Sequence, residues 1–144
     1  MKLPTKILIG PVLDWAVAKS INEDIQEFEL NDISPIYTTD GYPYQPSSNW
    51  SQGGPLLEDH AVMLFCGEDC QWYAFNNCNE YNPFYVNNFV NCTLSDASAY
   101  GDTPLIAVCR AIVISHFGDN VDIPDELIPY ISDFISNTLK NINE

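Results

Sequence analysis

The sequence predicts a single α+β domain in which a small antiparallel sheet, built on a β-hairpin over about 61–75, packs on one central buried helix over about 104–117. Three observations predict it. The apolar run Leu105–Phe117 opens on Thr103-Pro104 and stops at Gly118, a capping residue, a first-turn proline and a terminating glycine in the right order. The apolar and aromatic runs Ala61–Phe65 and Gln71–Phe75 flank Cys66-Gly67-Glu68-Asp69-Cys70, a connection of hairpin length. A chain of 144 residues that is 46 % hydrophobic has enough apolar matter for one core, and too little length for two comfortable ones.

The remaining elements follow in order. Thr5–Ile9 is rich in branched residues, and Gly10-Pro11 then starts a short N-terminal helix over about 11–19, with Val12, Trp15 and Ala16 on one inward stripe. Residues 20–36 are acidic, and Ile25, Phe28, Leu30, Ile33 and Ile36 fit either a short strand or an irregular segment. From Tyr37 to Pro55 the composition turns to Tyr, Pro, Ser, Asn, Gln and Gly, and Pro43, Pro46 and Pro55 exclude a continuous helix, so a long loop is expected. Residues 76–92 are Asn-rich with interleaved aromatics, and 88–93 is a candidate strand. Leu127, Ile128, Ile131, Phe134, Ile135 and Leu139 recur at helical spacing and predict a C-terminal helix over about 125–141, with Pro129 in its first turn or breaking it.

Charge restricts function. The formal net charge is −15, and Lys2, Lys6, Lys19, Arg110 and Lys140 are the only Lys and Arg residues, so none lies between Ser20 and Cys109. Such a surface gains nothing from counterion release along a phosphate backbone, which argues against duplex nucleic acid as partner. A basic host protein, or mimicry of a nucleic acid, fits the charge. No apolar run approaches the roughly 20 residues of a membrane span, so no membrane partner is expected. The stretch Lys2–Ala18 has the outline of an export signal, but Asp14 and Trp15 fall where such a signal stays small or apolar.

Five cysteines, Cys66, Cys70, Cys78, Cys92 and Cys109, read as free thiols of a reducing compartment. Only the first two approach the spacing of a zinc ligand pair, and no metal or other cofactor is expected. His60 and His116 are the two imidazoles. His116 closes the apolar helix, where a cation suits the dipole. His60 follows Glu58-Asp59 and has the makings of a general base, yet nothing in the sequence sets a Ser or Cys nucleophile beside it.

The segment from Tyr42 to Pro55 carries the richest binding chemistry. Tyr44 and Trp50 offer stacking faces, Ser47, Ser48, Asn49 and Gln52 offer donors and acceptors, and Gly53-Gly54 permits close backbone approach with amides for an anion. The alternative is a structural Ω-loop whose Trp50 plugs the core. Arg110, on an otherwise apolar helix, requires a partner: an acidic side chain, or a ligand phosphate or carboxylate.

Leu13-Asp14-Trp15-Ala16-Val17-Ala18-Lys19, Tyr44–Pro55 with its Trp-x-Gln-Gly-Gly-Pro ending, Thr103–Ala107 with Arg110, and Gly118-Asp119 with Ile123–Leu127 resemble, in that order, the small phage proteins of the NinX type. The resemblance spans roughly residues 5–127 and leaves 128–144 as an extension within one domain. The chain departs from that pattern at Asn49, where aspartate is usual, in the cysteine-bearing hairpin and Asn-rich insert, and in the added C-terminal helix. Proteins of this type are phage and prophage accessory proteins without a secure activity, so the resemblance implies a bacterial cytoplasm as working compartment.

Together these readings lead to a non-enzymatic accessory protein that captures a small nucleotide-like molecule, a cyclic dinucleotide or ADP-ribose derivative acting as a host defence signal. Tyr44, Ser47, Ser48, Asn49, Trp50, Gln52, Gly53, Gly54 and Arg110 would form its site, between the subunits of a homo-oligomer. The chief rival is an acidic inhibitor or DNA mimic that engages a host protein. A hydrolase using His60 is the third reading.

Overall fold

The computed structural model describes residues 1–26, 35–76, 97–131 and Lys140. Among these the architecture is α+β: three α-helices and small antiparallel sheets of two or three strands. The first strand, β1 (Lys2–Pro4), pairs with the last, β7 (Asn120–Asp122), in the register Leu3↔Val121. A 3-10 turn over Thr5–Ile7 leads into α1 (Gly10–Ile21), with Pro11 in its first turn and Asn22 closing it in the left-handed region. Seven consecutive residues of α1, Val12 to Ala18, are buried, so the middle of this helix is covered all round.

A two-stranded ribbon, β2 (Ile36–Tyr37) with β3 (Pro43–Tyr44), precedes α2 (Trp50–Asp59). The hairpin appears as β4 (Met63–Cys66) and β5 (Trp72–Phe75), and β6 (Ala99–Gly101) extends it to the order β4-β5-β6. The expected core helix is α3 (Pro104–Phe117). Small residues on the inner face of the sheet, Ala74, Ala99 and Gly101, let the strands approach it closely. A Cβ on Gly101 would stand 2.6 Å from Ile106 Cγ2 and 3.0 Å from Ala107 N.

Two expectations are corrected. Residues 37–55 are not one loop, because α2 begins at Trp50 and carries Pro55 within it. The Asn49 side chain accepts from Ser51 N at 2.9 Å and starts the helix, while Gly53 and Leu56 turn inward. Pro55 and Ser51 both lie on the exposed face, where water reaches the carbonyl that proline leaves without a donor. Packing thus outweighs the poor helix propensity of Gly53-Gly54-Pro55. Secondly, Asp125–Ile131 forms a 3-10 helix rather than the first turns of an α-helix. Leu127 and Ile131 are nonetheless buried, as their spacing implied. Residues 132–139 of that element, the candidate strand at 88–93 and Phe28, Leu30 and Ile33 lie outside the described residues.

Thr103 caps α3 as read, accepting from Ile106 N at 3.2 Å, and Gly118 follows the helix at φ 81°. Thr103→Ala is expected to lower the unfolding free energy by about 1 kcal/mol, measured by urea denaturation; an unchanged midpoint would show that the cap contributes nothing.

Candidate functional site

Residues 43–54 fold into a turn and helix start whose polar groups mostly serve one another. Gln45 N donates to Gln52 Oε1 at 2.6 Å and Gln52 Nε2 donates to Pro43 O at 2.8 Å, so one side chain clamps the first turn of α2 to β3. Ser48 N and Asn49 N both donate to Gln45 O, and Gly53 N donates to Asn49 O. A Cβ on Gly53 would meet Pro46 O and Leu105 Cδ2, so this glycine serves the contact between α2 and α3. Gly54 lies half-buried beside the indole of Trp50. Of the nine candidate residues, Ser48, Asn49 and Trp50 are exposed, and Trp50, 57 % exposed, is not a core plug.

Tyr44 and Ser47 face inward instead, because β3 and the following turn lie against the buried middle of α1. Asp14, 3 % exposed on that helix, accepts from Ser47 N at 2.9 Å and also from the Ser47 hydroxyl. Burial pushes its carboxyl up to about 6, and the two Ser47 bonds offset only part of that rise. The Tyr44 hydroxyl is buried without a hydrogen-bond partner among the described residues. Burial first, then electrostatic interaction with Glu23, Cys109 and Asp14, drives the Tyr44 phenol above its ordinary range. The fully buried Cys109 thiol is raised too, by burial and by Asp14. Sequence reasoning missed this Asp14–Ser47–Tyr44–Cys109 cluster. Its one visible signal was a carboxylate set in the apolar run Val12–Ala18.

Among the described residues Arg110 bonds neither to an acidic side chain nor to any residue of the 43–54 segment. Its Nε donates to Leu8 O at 2.9 Å and its Nη1 to Tyr100 O at 3.0 Å, so the guanidinium ties the entry to α1 to strand β6. Burial lowers its pKa, and Tyr100 and Asp102 counter that only in part. The expected acidic partner is replaced by two backbone carbonyls, which meet the same need for acceptors.

A half-open cavity of about 400 Å³ lies elsewhere, lined by Pro4, Thr5, Lys6, Ile114, Asp119 and Asn120. It contains none of the candidate residues, and Thr5 is already committed, with its hydroxyl donating to Gly118 O and its N–H to Asp119 O. Cys66 and Cys70 are exposed free thiols, and Cys78 and Cys92 lie outside the described residues. Among the described residues no three His, Cys, Asp or Glu groups gather to hold a metal ion, and no helix is long and apolar enough to cross a membrane. The His60 Nδ1–H donates to Leu56 O at 3.0 Å and so helps to cap α2.

What remains outward on α2 is a face of Trp50, Ser51, Pro55, Glu58 and Asp59, with the half-buried Gly54 between. No ion pair reaches Glu58 or Asp59 among the described residues. Comparison with known sequences gives one family match: the family model described as bacteriophage P22, NinX matches residues 6–116. No match was found among curated proteins.

Proposed function

Since the chain belongs to the bacteriophage P22 NinX family, whose model covers most of its length, we propose that it is a non-enzymatic phage accessory protein that binds a basic surface of a host protein in the host cytoplasm. One observation carries this reading: an exposed tryptophan, Trp50, stands in a chain of net charge −15 that has no Lys or Arg from Ser20 to Cys109. Tryptophan is over-represented among the residues that dominate protein interfaces, and an acidic field speeds association with a basic partner.

The same geometry disfavours nucleotide capture. A phosphate needs donors, but the Gly53 amide is spent inside α2 and two of the five Arg110 N–H donors are held by backbone carbonyls. Tyr44, a proposed stacking face, is buried.

Mass spectrometry of the protein purified from host cells at low salt tests this reading. The expected result is a co-purifying basic polypeptide that is released as ionic strength rises, as screening of surface charges requires. Co-purification of a nucleotide that survives high salt, confirmed by calorimetric heat with a cyclic dinucleotide or ADP-ribose, would overturn it.

A further inference from the structure

We propose that the outward face of α2 is the docking surface, and that its occupant is a basic helix of the partner lying antiparallel to α2, with one cation over the Trp50 indole and a second at the Glu58 carboxylate. The inference rests on the protein-binding reading above and adds the site and the partner's chemistry.

Residues four and eight apart lie within about 80° of one another around a helix axis, so Trp50, Gly54 and Glu58 share one side, while Ser51, Pro55 and Asp59 lie further round. From Trp50 to Glu58 the face runs for about 12 Å. The indole leans along it, with Cε3 3.7 Å from where a Gly54 Cβ would stand. Gly54, between the indole and Glu58, adds no side chain to that face.

Charge selects that partner. The first turn of α2 has no acid and its last turn has no base, while Glu58 and Asp59 sit at the end where the helix dipole is already negative. That placement is unfavourable within the chain and favourable to an incoming cation. A partner helix running the opposite way brings its own positive N-terminal end to the same point. At the other end the indole face receives a Lys or Arg by cation–π attraction. The partner therefore carries two cations two helical turns apart on one face.

The test is NMR shift mapping on the full chain with an alanine-based helical peptide bearing two arginines two turns apart, at low salt. Perturbed amides of residues 50–59 and a shifted Trp50 indole N–H are expected. Affinity should fall about fivefold in Trp50→Ala, and fall again in Glu58→Gln/Asp59→Gln. Asp125→Asn/Glu126→Gln removes equal charge elsewhere and should leave it unchanged. A peptide with its arginines on opposite faces should bind more weakly. Binding whose shifts map away from α2, or that weakens equally in both double variants, would overturn the inference while leaving a basic partner in place. No binding of either peptide would sink both.

Discussion

Gly53→Ala is expected to cost about 2–3 kcal/mol of stability, whereas Gly54→Ala, one residue on, should raise it by about 0.5–1 kcal/mol. Both glycines lie in α2 at dihedrals open to any residue, so conformational strain does not separate them. Space does. A Cβ at 53 would drive into the carbonyl oxygen of Pro46, a backbone atom fixed by the turn before α2, and into Leu105 Cδ2 2.7 Å away on α3. Relief requires α2 and α3 to part, and that contact also buries Leu56. At 54 the nearest atom is Trp50 Cε3 at 3.7 Å, an ordinary contact, so alanine adds helix propensity and narrows the unfolded ensemble at no steric cost. Urea denaturation of the two single variants checks this, and effects of the same sign would refute the packing argument.

The contrast also explains what could be read from the sequence. α3 was legible because its boundaries are local chemistry: Thr103 supplies a cap oxygen, Pro104 a preset φ and Gly118 a left-handed stop, each acting within one turn. The hairpin was legible for the same reason, as two apolar runs across a short turn. α2 was not. Its sequence, Trp50 to Asp59, contains Gly-Gly-Pro, which local rules assign to a loop, and the forces that overrule them come from Leu105, more than fifty residues away. The division of the candidate residues between core and surface was not legible for a related cause. Tyr44 and Trp50 are both aromatic residues of one polar segment, yet burial divides them, Tyr44 against α1 and Trp50 in solvent. No periodicity within so irregular a stretch encodes that division. Arg110 was rightly flagged as needing acceptors; that Leu8 and Tyr100 carbonyls supply them depends on tertiary placement alone.

These placements shift the functional weight from an enclosed pocket to a surface. Gln52 and Gly53 serve the turn, and two of the five N–H donors of Arg110 serve the backbone. What the described residues leave exposed is an aromatic face near carboxylates that make no ion pair among those residues, the features that support the proposed cationic partner.

Asp14→Asn is expected to reverse part of the protein's stability loss at neutral pH. The carboxyl titrates at about 6 in the folded chain against 3.8 when free, so between those values the folded state holds a proton that the unfolded state has released. Its contribution is therefore fully present below pH 3.8 and is lost as pH rises towards and through about 6. The interval corresponds to about 3 kcal/mol, an upper figure because any rearrangement softens the desolvation. Tyr44 and Cys109 face the same carboxyl, both held neutral by burial, and no cation offsets it among the described residues. Asparagine keeps an oxygen for the Ser47 N–H and does not ionise, so any misfit of its amide is a constant offset and the slope is the readout. Urea denaturation of both proteins from about pH 4 to pH 7.5 should show the variant gaining on the parent by about 2–3 kcal/mol across that range. Parallel curves would mean that Asp14 is hydrated in solution.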